Sequence, residues 1–300
     1  METTEIATPH LPRFVRHRHR KPAFVLQERD RELVRVVSQH RVISSDDLQL
    51  LVAGSNQTIL RRLQKLFHNG YLDRPRSQRQ RGNAPMVYAL GQKGAELVAS
   101  DAGAKAAGDW SEKNRLIGPT YLEHALMVSR FQTALRFSLR ERGNASLDRW
   151  CSDGAIRDAV VVEHDASTER IPIAPDAFFT LRLLNEPEGR NRVHVFLEAD
   201  RGTMTTKRYF TKIRGYWQYW RSGRQEQLGI KNFLVLTVTA TPERAASLWT
   251  VTGELDAPKH RGLRMFLFGS EQSYTLAEPL RILDAIWATA GDQARHSLLE

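Results

Sequence analysis

Residues 28–70 contain three consecutive segments of helical hydrophobic periodicity, and this order constrains the fold more than any other feature of the chain. The first segment begins at Glu28. Serines at 44–45 precede the second segment and a Ser-Asn pair at 55–56 precedes the third; these residue types favour helix N-termini. An Asn-Gly pair at 69–70 ends the third segment, because glycine readily adopts the left-handed conformation that follows a helix. The sequence therefore predicts three short helices.

Two short apolar stretches, 71–72 and 86–90, follow the third helix, with a polar and basic run at 73–85 between them. This pattern predicts two strands joined by a basic hairpin. A further short helix is expected at 91–100. Three helices followed by such a hairpin are the order of a winged helix-turn-helix, which we predict for residues 25–100.

The positive charge of the chain is concentrated in this region. The net charge of the whole protein is +10, and residues 1–100 hold 17 Lys and Arg against 9 Asp and Glu, a net of +8. Residues 101–300 hold 27 against 25, a net of +2. The excess predicts a polyanionic partner for the N-terminal third, and double-stranded DNA suits a winged helix-turn-helix.

Side chains able to read base edges are expected on the exposed face of the third helix. Asn, Gln and Arg form paired hydrogen bonds with bases, and arginines on a hairpin suit phosphates or the minor groove. The predicted DNA-binding residues are Asn56, Gln57, Thr58, Arg61, Arg62, Lys65, Arg74, Arg76, Arg79 and Arg81. The alternative is a winged helix that contacts protein, with its charges simply solvated.

Two segments are predicted to lie outside the folded domains, and the first of them, residues 1–24, lacks an apolar face wide enough to dock. Residues 1–24 form a basic arm, expected to be flexible, which is either a solvated tail or an arm that tracks DNA phosphates. Residues 101–118, rich in alanine, glycine and charge, are predicted to be a linker. The basic residues of the arm are Arg13, Arg16, Arg18, Arg20 and Lys21.

Residues 119–300 are predicted to form an α/β sandwich that opens with a long helix at about 120–142. Strands are expected at 157–163, 176–183, 193–199, 231–239 and 264–268, and further helices at 203–221, 242–249 and 277–289.

Three carboxylates lie at neighbouring strand ends of this sandwich. Asp176 opens one predicted strand, and Glu198 and Asp200 close the next, so all three are expected at one edge of the sheet. Hard oxygen ligands suit Mg²⁺ or Mn²⁺, and Lys207 on the following helix could stabilise phosphate charge. The alternative is structural: acidic residues are common at strand ends, and Arg201 could pair with one of them.

The order of a Pro-Asp pair, a Glu-x-Asp triplet and a lysine-bearing helix resembles the PD-(D/E)XK nuclease fold. More specifically, the chain resembles the replication-relaxation family of bacterial plasmids and integrative elements. That resemblance covers the winged helix at 28–100, the blocks Pro175–Phe179 and Phe196–Thr203, and then Lys207, Lys212 and Tyr216. It implies an N-terminal winged helix-turn-helix followed by a restriction-endonuclease-like α/β domain, of α+β or α/β class.

The nuclease motif implies that Asp176 and Glu198 are metal ligands. The motif's lysine position is occupied by Asp200, which implies either a third metal ligand or a degenerate site. Lys207 or Lys212 could supply the missing ammonium from the helix. Glu123 on the long helix matches an acidic residue that such nucleases often carry upstream.

The cysteine content and the lengths of the apolar runs restrict the classes of protein to which this chain can belong. A lone cysteine, Cys151, excludes an internal disulfide and a zinc finger, no apolar run approaches the length of a membrane span, and we expect a cytoplasmic protein. The leading hypothesis is a DNA-binding protein of a mobile element, acting in replication, relaxation or transfer, with a catalytic or degenerate nuclease-like domain. A homodimer and replication or transfer proteins are possible partners. The alternatives are a transcriptional regulator whose C-terminal domain dimerises or binds a partner, and a Mg²⁺-dependent endonuclease in defence.

Overall fold

The computed structural model divides into two compact units, residues 1–129 and 130–300. The division lies within the long helix, whereas the sequence prediction places it before that helix. Of the predicted arm only 12–16 and 23–24 are described, so Arg18, Arg20 and Lys21 lie outside the described residues. The structure describes residues 12–16, 23–106, 108–152, 154–164, 167–258, 262–292 and 294–300.

The first unit contains helices and very short strands in the predicted order. Its elements are α1 (Glu28–Ser38), β1 (Ile43–Ser44), α2 (Ser45–Leu51), α3 (Asn56–His68), β2 (Leu72–Asp73), β3 (Val87–Leu90), α4 (Gln92–Asp101), α5 (Trp110–Arg115) and the first part of α6 (Pro119–Arg142).

The predicted helix boundaries rest on local hydrogen bonds. The Ser44 side chain caps α2 by accepting the amide N–H of Asp47, and the Ser55 side chain caps α3. Gly70 has φ +86°, the left-handed conformation expected after α3. Leu33, Ile59 and Leu63 are fully buried in one core with Val37 and Leu66. Periodicity and caps therefore predicted these elements correctly, because both act within a few residues.

The first unit has a three-stranded antiparallel sheet in the order β1-β3-β2, with Ile43 opposite Tyr88 and Leu72 opposite Leu90. The basic run between β2 and β3 is more ordered than an open hairpin, since residues 76–81 form a 3₁₀ helix. The Gln78 side chain accepts the N–H of Val87 at 2.9 Å and donates to its carbonyl at 3.1 Å. This amide folds the connection, hereafter the wing (residues 74–86), onto β3.

The predicted linker at 101–118 is wrong in part, because α5 lies inside it. Asp109 caps α5 by accepting the N–H of Glu112 at 3.0 Å. Asn114 is 2% exposed, donates to the carbonyl of Leu90 at 2.9 Å and accepts from Arg41 at 2.8 Å. These contacts with residues distant in sequence order the segment.

The second unit contains one large mixed sheet and a separate hairpin. Its elements after α6 are β4 (Ala145–Ser152), β5 (Asp158–His164), β6 (Ser167–Ile173), β7 (Ala177–Leu183), β8 (Arg192–Asp200), α7 (Thr206–Arg221), β9 (Leu234–Thr239), α8 (Pro242–Thr252), β10 (Phe266–Ser270), β11 (Trp287–Thr289) and β12 (Arg295–His296). The sheet order is β12-β11-β10-β9-β8-β7-β4, and β5 pairs with β6. β8, β9 and β10 are parallel, and the other neighbours are antiparallel.

The predicted helix at 277–289 is wrong. Residues 279–283 form a 3₁₀ helix, and β11 pairs antiparallel with β10 through Leu267 and Thr289. Trp287 is fully buried and its indole donates to the carbonyl of Ile282 at 3.0 Å. An apolar run this short fits a helix or a strand, and pairing with β10 decides between them.

The face of the sheet that carries α7 holds the main core of the second unit. Phe196 of β8 packs near Tyr216 and Phe233, with ring centroids 5.6 and 4.7 Å away, and Ile213 is fully buried beside them. This packing aligns α7 with the end of β8. Among the described residues, no helix is both long and apolar enough to cross a membrane.

Candidate functional sites in the two units

The start of α3 presents three of the predicted DNA-binding side chains to solvent. Asn56, Gln57 and Arg61 are exposed, while Thr58 and Lys65 are half-buried. The N-cap at Ser55 holds this end of the helix in place. The arrangement offers two amides and one guanidinium on a rigid element, which is chemistry suited to base edges.

Arg62, the neighbour of Arg61, is directed into the protein. It forms an ion pair with Asp30, donating from Nε to Oδ1 at 2.7 Å, and also donates to the carbonyl of Val25 at 3.1 Å. Asp30 is fully buried and the Arg62 side chain is 11% exposed. The prediction that Arg62 contacts DNA is therefore corrected, because its guanidinium neutralises a buried carboxylate.

The four wing arginines separate into two pairs. Arg76 and Arg79 are exposed. Arg74 is 8% exposed, donates to the Tyr88 hydroxyl at 2.9 Å and lies 4.3 Å from the Phe67 ring centroid. Arg74 is thus an internal residue, and its prediction as an outward contact is corrected.

Arg81 is half-buried and donates from Nε to Oε1 of Glu123 at 2.8 Å. Arg81 is therefore not a free wing arginine. Glu123, expected as an upstream acidic residue of the nuclease-like site, is instead the partner of Arg81 within the first unit. Both expectations are corrected by this ion pair.

In the second unit, Asp176 and Glu198 lie at one sheet edge, as predicted, because β7 and β8 are antiparallel. Asp176 Oδ2 accepts the N–H of Ala199 at 2.8 Å, and the Asp176 N–H donates to the carbonyl of Leu197 at 3.0 Å. Backbone contacts with β8 therefore hold the Asp176 carboxylate next to Glu198.

Glu198 is 4% exposed and both its carboxylate oxygens have donors. The Tyr216 hydroxyl donates to Oε1 at 2.5 Å, and the Lys212 ammonium forms an ion pair through Oε2. Burial raises the pKa of Glu198 to about 7; the Lys212 charge opposes this rise and the Asp176 charge adds to it. Asp176, Glu198, Lys212 and Tyr216 are hereafter called the carboxylate cluster.

The two α7 residues of this cluster also respond to its charge. Burial alone would lower the pKa of Lys212, yet the carboxylates of Glu198 and Asp176 outweigh burial and raise it. Burial, followed by the Glu198 charge, raises the pKa of Tyr216 well above its ordinary value. Lys212 is therefore an ammonium and Tyr216 a neutral hydrogen-bond donor. Lys207 is exposed in the first turn of α7, so Lys212 is the lysine that contacts Glu198.

Asp200 has a different partner from the other two acids. Arg244, in the first turn of α8, donates from Nε to Oδ1 at 2.9 Å and from Nη2 to Oδ2 at 3.0 Å. The N–H of Gly202 also donates to Oδ1 at 2.6 Å. Hydrogen bonding to Asp200 raises the pKa of Arg244. The structural alternative considered from the sequence was that Arg201 pairs with one of the three acids; nothing in the local sequence indicates Arg244 as the partner of Asp200, since it is 44 positions away.

The predicted three-carboxylate metal site is not formed. The described ranges contain no group of three His, Cys, Asp or Glu side chains that could hold a metal ion. The donor chemistry agrees: both oxygens of Asp200 are bound by Arg244, and both oxygens of Glu198 are bound by Lys212 and Tyr216. Mg²⁺ or Mn²⁺ therefore does not fit these three residues as they are arranged. Tyr216, one turn after Lys212, is a cluster member that α-helical spacing alone could have indicated.

A family model described as replication-relaxation matches residues 34–233, two thirds of the chain. The match begins in α1 and ends before β9, so it includes α3, the wing and the carboxylate cluster. No curated protein and no solved structure is significantly similar to the chain.

Proposed function

The chain belongs to the replication-relaxation family, and we propose that it binds double-stranded DNA in the replication, relaxation or transfer of a plasmid or other mobile element. The family suggests a role in replication or relaxation. The proposal that the chain binds double-stranded DNA rests chiefly on one observation: Asn56, Gln57 and Arg61 form an exposed polar face in the first part of α3.

The first unit supports this proposal through the order of its elements. The helices α1, α2 and α3 are followed by β2 and β3, whose connection is basic, and β1, between α1 and α2, completes the three-stranded antiparallel sheet. This order is typical of a winged helix-turn-helix. In such domains the N-terminal residues of the last helix reach base edges in the major groove. We assign α3 as the recognition helix, with the exposed Arg76 and Arg79 of the wing contacting phosphates.

For the second unit we propose a scaffold role in place of nuclease catalysis. Lys212 and Tyr216 bind both carboxylate oxygens of Glu198, and Arg244 binds both carboxylate oxygens of Asp200, so protein donors already hold these two acids. A metal-dependent nuclease or nickase is the competing function, favoured only by the proximity of Asp176, Glu198 and Lys212.

The DNA-binding proposal is tested by selecting preferred duplexes from a random library and measuring affinities by fluorescence anisotropy. Replacing Arg61 by Gln should weaken binding to the selected duplex by about 1–3 kcal/mol and relax its sequence preference. Arg221→Gln removes an equal charge from an exposed position of the second unit and is the matched control. Equal affinity of the wild type and Arg61→Gln for every selected duplex would contradict α3 as the reading element.

The scaffold proposal is tested by incubating supercoiled plasmid with the protein and Mg²⁺ or Mn²⁺. We expect no nicked or linear product, because the carboxylates are already bound by protein donors. Nicking by the wild type that disappears in Glu198→Gln but persists in Glu186→Gln, an exposed control, would establish the nuclease instead.

A further inference from the structure

A basic cleft in the first unit lies beside the wing and shares Arg76 and Arg79 with the phosphate contacts proposed above, while its other lining residues have no role in that function. Its volume is about 530 Å³, within the range of about 300–1,000 Å³ typical of small-molecule sites. The residues that matter among those lining it are Phe14, Arg16, Arg74, Arg76, Arg79 and Arg115.

The cleft has more positive than negative charge. Five arginines line it against two aspartates, Asp73 and Asp109. Both aspartates have partners within the protein: Asp73 lies 3.4 Å from Arg16 and accepts the N–H of Arg74, and Asp109 caps α5. Within the described ranges, no carboxylate forms an ion pair with the other four guanidinium groups of the cleft.

Arg74 lines the inner part of the cleft and is the most buried of its arginines. It is 8% exposed, and its side chain donates to two neutral oxygens, the Tyr88 hydroxyl and the Arg13 carbonyl. Its Nε is buried and has no hydrogen-bond partner among the described residues. A buried cation without an anion is costly, so an anionic ligand beside Arg74 would stabilise the protein.

Three more arginines surround the mouth of the cleft. Arg76 and Arg79 come from the wing and Arg115 from the end of α5; all three are exposed and form no ion pair within the described ranges. Arginine offers planar, bidentate donors that match the oxygens of a phosphate. Arg79 also lies 5.4 Å from the ring centroid of Phe14, so a half-buried aromatic face adjoins the guanidinium groups.

We infer that this cleft binds a nucleoside phosphate, either free or as the 5′-terminal nucleotide of a DNA strand. The phosphate lies against Arg74 and the mouth arginines, and Phe14 provides an apolar surface for the base. This site is separate from the polar face of α3, and its occupancy does not depend on duplex recognition by that helix.

Isothermal titration calorimetry of the full chain with dAMP, deoxyadenosine and inorganic phosphate tests the inference. We expect one dAMP per chain, with deoxyadenosine binding at least about tenfold more weakly because it lacks the charge-assisted hydrogen bonds. Arg115→Gln, at an exposed position, should weaken dAMP binding several-fold, whereas Arg61→Gln should leave it unchanged. Absence of dAMP binding, equal binding of deoxyadenosine or an unaffected Arg115→Gln variant would overturn the site. Inorganic phosphate binding as tightly as dAMP would overturn the nucleoside part.

The source of the nucleotide is distinguished with two duplexes of identical sequence, one with 5′-phosphate ends and one with 5′-hydroxyl ends. A preference for phosphorylated ends that Arg115→Gln abolishes supports a DNA terminus. Retained dAMP binding without that preference supports a free nucleotide. Failure of α3 recognition appears separately, as unchanged duplex affinity of Arg61→Gln, so the two proposals can fail independently.

Discussion

The individual residues with the most consequence in the second unit are Glu198 and Asp200, two positions apart on β8. Lys212 and Tyr216 bind the first, and Arg244 binds the second. Their side chains face the same side of the strand, yet they end in separate hydrogen-bond networks. A pair of acidic residues in a motif therefore does not by itself form a metal site, because lysine and arginine side chains of the protein compete with a metal ion for the carboxylates.

Glu198 should make stability depend on pH. Its pKa in the folded protein is about 7 against an ordinary 4.5, so the folded state binds more protons than the unfolded chain between these values. The Glu198 contribution to the free energy of unfolding is thus fully present below about pH 4.5 and is lost as pH rises through about 7. Glu198→Gln, which cannot titrate, should flatten this decline.

Urea denaturation at several pH values, followed by tryptophan fluorescence, measures the free energy of unfolding of the wild type and of Glu198→Gln and so compares their pH dependence. Five of the six tryptophans lie in residues 130–300, so the signal reports mainly on the second unit. Glu186→Gln at an exposed position serves as the control and should retain the wild-type slope. Parallel pH profiles for the wild type and Glu198→Gln would show that folding does not change the pKa of Glu198.

At the scale of the element, α3 shows how one helix divides its charged residues between structure and recognition. Arg61 and Arg62 are adjacent, so they differ by about 100° around the helix axis. Arg61 is exposed, whereas Arg62 lies over the Phe24 ring, 5.2 Å from its centroid, and pairs with buried Asp30.

Arg62→Gln should destabilise the first unit by about 3 kcal/mol, because it leaves a fully buried carboxylate without its ion-pair partner. Arg61→Gln should change the free energy of unfolding by less than about 0.5 kcal/mol, as expected for a surface substitution. Chemical denaturation followed by circular dichroism compares the two variants. Equal stabilities would mean that Arg62 does not anchor α3 in solution.

The wing likewise divides its arginines between contacts within the protein and exposure to solvent. Gln78 ties its 3₁₀ helix to β3, and Arg81 pairs with Glu123, which leaves Arg76 and Arg79 exposed. Composition predicts a basic connection here, but it cannot predict that only two of the four arginines face solvent. Side-chain contacts with β3 and α6 make that selection.

At the scale of the whole molecule, the net charge of +10 is distributed unevenly, with +8 in residues 1–100. Binding of such a surface to DNA releases counterions, so affinity should fall steeply with salt.

The double variant Arg76→Gln/Arg79→Gln should reduce the slope of log affinity against log salt by about two, since each lost phosphate contact removes about one. Anisotropy titrations across a salt series measure the slope. The double variant should keep the wild-type preference among duplex sequences. The control Arg182→Gln/Arg221→Gln makes the same change in net charge at exposed positions of the second unit. An identical loss of slope in both double variants would indicate non-specific attraction in place of wing contacts.

Local patterns predicted α1 to α4, α6 to α8 and the strands β2, β3, β5, β7, β8, β9 and β10, because periodicity and caps act within a few residues. The same patterns predicted that Asp176 and Glu198 lie at one edge of the sheet, because Asp176 opens one strand and Glu198 closes the next strand along the chain. Which basic residue each acid binds depends on how distant elements pack, since Asp30 and Arg62 are 32 positions apart and Asp200 and Arg244 are 44 apart. The tertiary structure also decided that residues 287–289 are a strand, because hydrogen bonding to β10 competes with the helical tendency of a short apolar run. Local patterns thus specify elements, whereas the partner of a buried charge depends on which elements pack together.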